Sequence, residues 1–253
     1  KTAYEIGLYG KSNTKMGLFT ATTNTTLIQN LKVTNSYFES SVNGLGAIAG
    51  GGLGTFKNIY AEAILVGTGG DSAGAVGGIV GEAEATKGTA LTIENCWSNC
   101  TINADGKRVG GILGSANTSH VAVGIKHCLN TGTITYTGTY AGVYRFFGGL
   151  VGATGDNTAN PKTGSFTMDD CLNTGTVTVA SGSTNNAQGA IIGQGLGNVN
   201  ITNTYALDTS TNNNKAIGNG SPTGTVGLSL KAFGALKGKS AKTNTDLDFE
   251  NYW

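Results

Sequence analysis

The stretch "FFGGLVG", residues 146–152, combines three glycines with two aromatic and two aliphatic residues. A single stretch of this kind could be a turn or a phosphate-binding loop. The same order of Gly, Gly or Ala, Ile or Leu, a small or aliphatic residue and Gly recurs, however, with closing glycines 31 to 41 residues apart. The other copies are "GAIAG" at 46–50, "AVGGIVG" at 75–81, "RVGGILG" at 108–114 and "AQGAIIG" at 187–193.

A second motif comes after most copies of the first, and its clearest forms are "IKHCLNTGTI" at 125–134 and "MDDCLNTGTV" at 168–177. When all copies are superimposed, one column is mostly Asn and the next is apolar or Cys. We expect the polar column to make turn hydrogen bonds and the next column to point inward. The first column is Asn30, Asn58, Asn95, His127, Asp170 and Asn203, and the second is Leu31, Ile59, Cys96, Cys128, Cys171 and Thr204.

The length of the repeat determines the fold. Short alternating runs such as 176–179 indicate strands, and Gly, Asn and Asp turns separate about three of them in each unit. A unit this short cannot bury its own apolar side chains, so neighbouring units must stack. The sequence therefore predicts one all-β domain, a right-handed parallel β-helix or solenoid of about seven coils. Its predicted parts are an N-terminal cap with the first coil at 1–40, the repeats at 41–220 and a C-terminal cap at 221–253.

Four cysteines fall inside this repeat without the paired spacing of a zinc site. Three of them share the inward column, where a free thiol behaves as a small buried apolar group. A bridge between Cys96 and Cys128 on neighbouring coils and a metal site are the alternatives. The cysteines are Cys96, Cys100, Cys128 and Cys171.

The segments "GGIVG", "GGILG" and "GGLVG" resemble the GLUG motif, which recurs in bacterial surface proteins, including the repeat regions of streptococcal immunoglobulin A-specific proteases. The segments "LNTGTI" and "LNTGTV" are similar to the residues that come after the GLUG motif in such arrays, and "LDFENYW" at 247–253 resembles the segment that closes them. The resemblance covers roughly residues 40–253. It implies a secreted, repeat-built β-solenoid, often adhesin-like, whose motif is structural and supplies no catalytic residues.

The open end of a solenoid exposes strand edges and needs a cap. In "LSLKAFGALKG" the apolar residues Leu230, Phe233 and Leu236 have helical spacing. We expect a short capping helix there, with Ser229 as its N-cap and Gly238 just after its end. The alternative is a loop packed on the last coil, with Phe249 and Trp253 completing the plug in either case.

Composition and motifs exclude several functions. The formal net charge is +1, which disfavours a nucleic-acid binder, and no apolar run approaches the length of a membrane helix. A catalytic set is also missing: His127 and Asp170 belong to the turn column, His120 has no partner nearby in sequence, and Asp169 and Asp170 are neighbours that point to opposite faces of a strand. We therefore expect no enzyme activity, no cofactor and no metal.

The insertion "YTGTYAGVYRFF" at 136–147 is the strongest candidate for a ligand site. Strand alternation places Tyr136 inward, and the column shared with Val76 and Val109 places Phe147 in the core. The remaining side chains are expected on the surface, where Tyr beside Arg suits sugar stacking or protein contact; local packing is the alternative. These candidate ligand-binding residues are Tyr140, Tyr144 and Arg145.

The function that these features favour is a non-catalytic, adhesin-like module of a secreted or cell-surface bacterial protein. It would present loops to host or matrix glycans or proteins, with no nucleic-acid partner and no membrane insertion, as a monomer. The alternatives are a structural spacer or stalk of a larger surface protein and a β-helix polysaccharide-degrading enzyme.

Overall fold

The structure of the chain is a computed structural model, and it describes residues 9–12, 15–41, 44–69, 74–84, 88–116, 120–138, 145–155, 164–179, 186–236 and 239–247. These residues form three parallel sheets, and each full coil contributes in turn to sheet B, sheet C and sheet A. The strand pairs of all three sheets are parallel, as the stacking of short repeats requires. The predicted parallel β-solenoid is confirmed.

Sheet A is the widest wall of the solenoid, with 13 strands among the described residues. Each coil crosses it in one long strand or in two or three shorter strands, because turn residues interrupt the ladder at fixed columns. Numbered in chain order, its strands are β1 (Tyr9–Ser12), β3 (Leu27–Ser40), β6 (Gly54–Gly67), β9 (Thr89–Ser98), β10 (Thr101–Ala104), β13 (Val121–Lys126), β14 (Leu129–Asn130), β15 (Thr133–Tyr136), β18 (Ser165–Asp169), β19 (Cys171–Asn173), β20 (Thr176–Thr178), β23 (Asn198–Leu207) and β25 (Thr223–Lys231).

Sheets B and C are narrow, and the glycine motif joins them in each repeat. Sheet C has one strand in each of seven successive coils of the described chain, which agrees with the predicted number of coils. Sheet B consists of β4 (Leu45–Gly46), β7 (Ala75–Gly77), β11 (Arg108–Gly110), β16 (Arg145–Gly148) and β21 (Asn186–Gly189). Sheet C consists of β2 (Phe19–Ala21), β5 (Ala49–Gly52), β8 (Val80–Ala83), β12 (Leu113–Ser115), β17 (Val151–Ala153), β22 (Ile192–Gln194) and β24 (Ile217–Asn219).

The glycines of the first motif permit a sharp bend between sheets B and C. A Cβ added at Gly77 would lie 1.9 Å from the carbonyl oxygen of Val80, and a Cβ at Gly148 would lie 2.0 Å from that of Val151. No side chain fits at such distances, so the bend requires glycine. The Ile or Leu at the bend is fully buried, as Ile79 shows, so the motif places its apolar residue in the core.

The polar column of the second motif forms a bend in sheet A. Its six residues all have a positive φ, between 43° and 56°, which is the left-handed region that Asn tolerates best among residues with a side chain. The Asn58 amide donates to Oδ1 of Asn30 at 2.9 Å, and that of Asn95 donates to Oδ1 of Asn58 at 3.2 Å. The predicted turn column is confirmed. We call Asn30, Asn58, Asn95, His127, Asp170 and Asn203 the asparagine column.

All four cysteines are free thiols buried in the core, and no bridge joins Cys96 to Cys128. The Cys96 thiol donates to the carbonyl of Glu94 at 3.2 Å, and the Cys128 thiol donates to that of Lys126 at 3.1 Å. Burial raises the pKa of Cys100 to about 11, so this thiol stays protonated at neutral pH. The cysteines therefore behave as packing residues, which is the first of the three possibilities raised by the sequence.

The C-terminal helix is present, but at other residues than predicted. Ser229 and Leu230 lie in β25, which pairs with β23. Counting from the coil that contains β3 as the first, the backbone of this segment completes the seventh coil of sheet A. A 3-10 turn at Phe233–Leu236 comes next, and the α-helix α1 spans Lys239–Asn244. Ser229 is therefore not an N-cap, while Gly238, Phe249 and Trp253 lie outside the described residues. Within the described chain no helix is long and apolar enough to cross a membrane.

The residues after β25 fold back over the outer face of sheet A. Leu247 is buried in a small apolar cluster with Leu172 and Tyr205, and Leu236 packs against this cluster. The Tyr205 hydroxyl donates to Oδ2 of Asp246 at 3.1 Å and accepts from the Asp246 amide at 3.0 Å. We call the described residues 232–236 and 239–247 the C-terminal segment.

Candidate ligand-binding groove

The candidate site predicted from the insertion is only partly described. Tyr140 and Tyr144 lie outside the described residues. Arg145 is fully buried at the start of β16, where its Nε donates to the carbonyl of Asp105 at 2.9 Å and its guanidinium lies 5.6 Å from the Tyr136 ring. The expectation that Arg145 is exposed is wrong. Inside the protein its guanidinium is stabilised by the hydrogen bond to the Asp105 carbonyl and by a cation–π contact with the Tyr136 ring. The inward positions predicted for Tyr136 and Phe147 are confirmed.

A continuous row of outward side chains runs across sheet A, one position after the second column of the repeat. We call that second column, Leu31, Ile59, Cys96, Cys128, Cys171 and Thr204, the cysteine column. The strand register pairs Tyr60 with Lys32 and with Trp97, and Leu129 with Trp97 and with Leu172. Because the coils stack in register, these side chains form a ridge parallel to the solenoid axis. We call Lys32, Tyr60, Trp97, Leu129, Leu172 and Tyr205 the outer ridge.

The C-terminal segment covers one half of the outer ridge and leaves the other half open. Leu172 and Tyr205 are buried beneath it, and Leu129 packs at its margin. Trp97 remains 44% exposed, and the ring of Tyr60 meets it edge to face with centroids 4.9 Å apart. The open half of the ridge is therefore an aromatic surface on the second and third coils.

A groove runs beside this aromatic surface, parallel to the solenoid axis, and encloses about 520 Å³. Its walls and floor come from four successive coils, and the side chains in it are mostly hydroxyls, amides and small apolar groups. Pockets of this size are typical of sites for small ligands or for part of a chain-like one. We call it the axial groove; it is lined by Asn35, Ser36, Tyr37, Glu62, Ala63, Ile64, Asn99, Thr101, Thr131, Gly132 and Thr133.

Hydrogen bonds tie the outer ridge to the axial groove. Trp97 Nε1 donates to Oγ1 of Thr131 at 2.8 Å, and this hydroxyl donates to Oδ1 of Asn99 at 2.9 Å. The Tyr60 hydroxyl donates to Oε2 of Glu62 at 2.5 Å, and this bond raises the pKa of Tyr60. These bonds hold the Trp97 and Tyr60 side chains in one orientation, so little side-chain entropy would be lost if a molecule stacked on them.

A smaller groove of about 370 Å³ lies on the other side of the ridge, between the aromatic side chains and the asparagine column. Lys32 lies at this side, with its Nζ 5.4 Å from the centre of the Tyr60 ring. The ridge therefore separates a groove that has a lysine from the axial groove, where the charged side chain among the described lining residues is Glu62.

The catalytic possibilities raised by the sequence lie elsewhere. His127 sits in the asparagine column with its Nε2 3.7 Å from Oδ2 of Asp170, and Asp170 is buried there. Neither residue lines the axial groove. Among the described residues no group of three or more His, Cys, Asp or Glu side chains could hold a metal ion.

The outer ridge could have been predicted from the alternation of side chains along each strand. Since successive residues of a strand point to opposite faces, the residue after each inward cysteine must point outward. This alternation places Trp97, Leu129 and Leu172 in one outward column. The position of the C-terminal segment, which decides which of them stay exposed, depends on contacts between distant parts of the chain.

Comparisons with known proteins support the fold. Neither the known protein families nor the curated proteins give a match to this chain. Among solved structures, the chain is similar to a crystal structure from Bacteroides ovatus described as a "putative immunoglobulin A1 protease", with 20% identity and a TM-score of 0.54. The match covers 92% of this chain and 80% of that one. The description of this neighbour agrees with the resemblance to the repeat regions of immunoglobulin A-specific proteases, and at this identity the likeness shows a shared β-solenoid fold.

Proposed function

We propose that this chain is a non-catalytic, adhesin-like module of a secreted or cell-surface protein, and that it binds glycans in the axial groove. The observation that carries the proposal is the exposed ring of Trp97, packed against the half-buried Tyr60, on a ridge that borders a groove lined by hydroxyls and amides. The same two rings line the smaller groove on the other side of the ridge. Both the resemblance to GLUG-motif surface proteins and the name of the structural neighbour support an extracellular location.

The chemistry of the groove suits a sugar. A pyranose ring has an apolar face of C–H groups that packs against an aromatic ring, while its hydroxyls need donors and acceptors at its edge. Trp97 supplies the exposed ring, and Thr101, Thr133 and Asn99 supply polar groups one coil or less away. Trp97 is 44% exposed and Ile64, which lines the groove on the preceding coil, is 46% exposed. Apolar surface left open on two neighbouring coils supports a binding role over packing.

The arrangement of carboxylates supports binding over hydrolysis. Glycoside hydrolysis needs two carboxyl groups on either side of one bond. Among the described lining residues of the axial groove, Glu62 is the carboxylate, and the Tyr60 hydroxyl already occupies its Oε2. A degrading enzyme is therefore the weaker candidate for this groove.

The experiment that tests the proposal is a binding screen of the purified chain against immobilised glycans, followed by titration of the strongest hit. Trp97→Ala removes the stacking ring and should raise the Kd about tenfold, which corresponds to about 1.4 kcal/mol. Trp97→Phe keeps a ring but loses the bond to Thr131, so we expect an intermediate Kd.

Val226→Ala is the matched control, because Val226 is similarly exposed on the same sheet, but on β25 and outside the groove. Circular dichroism should show all three variants folded. Saturable binding that Trp97→Ala leaves unchanged would place the ligand elsewhere. The absence of any hit would contradict the proposal and favour a structural spacer.

A further inference from the structure

We propose that the ligand of the axial groove is an extended glycan without acidic groups, lying parallel to the solenoid axis. This inference rests on the proposed function and adds the direction and the charge of the ligand. Both depend on features of the groove that a general affinity for sugars does not require.

The stacking of the coils sets the direction. The wall opposite the aromatic ridge is a column in which Tyr37, Ile64, Thr101 and Thr133 succeed one another on four coils. Neighbouring parallel strands are about 4.8 Å apart, so this wall extends over about 14 Å from the first coil to the fourth. A ligand along the axis meets one side chain of this wall on each coil. A ligand across the axis would run along a single coil and would have to pass over the ridge or over this wall. The long direction of the site is therefore the solenoid axis.

The polar groups of the groove repeat along the same direction. Glu62, Asn99 and Thr131 occupy equivalent positions between the ridge and the opposite wall, on the second, third and fourth coils. A linear glycan presents hydroxyls at regular intervals, so each coil can contribute one polar contact. Beyond the fourth coil the outer ridge disappears under the C-terminal segment, and the stacking surface ends at Leu129.

The carboxylates around the groove determine the charge that a ligand can carry. Glu62 lines it, and Glu39 lies at its edge, where it accepts a hydrogen bond of 2.9 Å from the hydroxyl of the lining residue Tyr37. None of the described lining residues is Lys or Arg, and Lys32 lies on the other side of the ridge. A sulfate or carboxylate in the groove would lose water and meet a like charge without a cation to pair with.

The experiment uses pairs of linear oligosaccharides with the same backbone, one neutral and one sulfated, from disaccharide to hexasaccharide. The backbones are β-1,4-linked glucose, β-1,4-linked N-acetylglucosamine and alternating galactose and N-acetylglucosamine. For at least one backbone we expect the affinity of the neutral series to rise with length and then level off. We expect the sulfated hexasaccharide to bind at least about tenfold more weakly than its neutral partner.

Glu62→Gln removes the charge and keeps the shape, so it should reduce the difference between neutral and sulfated partners to about threefold or less. Glu94→Gln is the matched control, since Glu94 is a carboxylate on the outer face of sheet A that pairs with Lys57 at 3.2 Å and does not line the groove. It should leave the difference unchanged.

The outcomes separate this inference from the proposed function. If no oligosaccharide binds, both are contradicted. If binding occurs and Trp97→Ala weakens it, but the sulfated partner binds equally well or better, the inference about charge is wrong while the glycan site stands. An affinity that is independent of oligosaccharide length would contradict the inferred direction of the ligand. A preference for the neutral partner that Glu62→Gln does not change would show that Glu62 is not the source of the selectivity.

Discussion

At the asparagine column, one residue in each coil meets a backbone requirement and a side-chain requirement. The backbone must adopt a positive φ, which costs most residues with a Cβ about 1 to 2 kcal/mol. The side chain then continues a ladder of amide hydrogen bonds from coil to coil, as Asn58 does with Asn30 and Asn95. His127 and Asp170 replace Asn at the fourth and fifth positions of the column and keep a positive φ of 50°, so the backbone requirement is the stricter one.

Two substitutions at Asn58 separate these requirements. Asn58→Gly keeps the left-handed backbone and loses only the exposed ladder bonds, so the free energy of unfolding should fall by about 1 kcal/mol or less. Asn58→Ala loses the same bonds and also strains the backbone, so it should cost a further 1 kcal/mol, roughly. Urea denaturation of both variants measures the difference. Equal losses for Gly and Ala would show that the backbone at this column is not under strain.

At the scale of elements, the C-terminal segment acts as a side cover of sheet A. Its contacts with Leu172 and Tyr205 remove an apolar part of the outer ridge from water. The segment after β24 has the helical spacing of Leu230, Phe233 and Leu236, but Leu228 and Leu230 also alternate as in a strand. The strand prevails because eight residues of β25 pair in register with β23 and complete a coil, which a short isolated helix does not offer.

Tyr205→Phe tests how firmly the cover is held. The substitution removes both hydrogen bonds between the Tyr205 hydroxyl and Asp246, at a cost of about 1 kcal/mol. We expect limited proteolysis to cut the C-terminal segment several times faster. Tyr60→Phe is the control, because it removes a hydroxyl–carboxylate bond from the same ridge at a place that the segment does not cover. If both variants are cut at the wild-type rate, the apolar cluster alone holds the segment.

At the scale of the whole molecule, stability should vary along the axis, because each coil contacts only its neighbours. Leu91, Ile93 and Ile125 in the central coils are fully buried, whereas Leu27 on the first coil is 57% exposed and β25 is exposed over its first half. We expect amide hydrogen exchange, measured by mass spectrometry, to be slowest in β9 and β13 and fastest in β2 and β25. Uniform exchange throughout these four strands would instead indicate a single cooperative unit.

The periodic part of this molecule could be predicted from its sequence, and the unique part could not. Repetition of Gly77 and Gly148 in equivalent motifs marked the bends, and repetition of Asn58 and Asn95 marked the turn column. Such features recur in every coil, so independent copies of the sequence support the same interpretation. The C-terminal segment occurs once, and its position depends on contacts between residues far apart in the chain.

The candidate site was missed for a related reason. The insertion around Tyr140 stood out as a binding site because it departs from the repeat, yet Arg145 beside it is buried. Trp97 lies within the repeat itself, directly after Cys96 of the cysteine column. A position inside a repeated motif is interpreted first as structural, so the sequence did not single out Trp97 as a binding residue. Its exposure depends on the C-terminal segment stopping near Leu129, which no local pattern in the sequence reports.

The walls of the axial groove are columns of the repeat, so the length of the groove depends on the number of coils that the gene encodes. Duplication of one coil would lengthen each column by one strand spacing, about 4.8 Å, without a new fold and without a new loop. On the proposed function, the reach of the groove along a glycan would change by whole coils, while its selectivity would change with single substitutions at positions such as Glu62. The length of the groove and its preference for neutral over acidic ligands would then evolve separately.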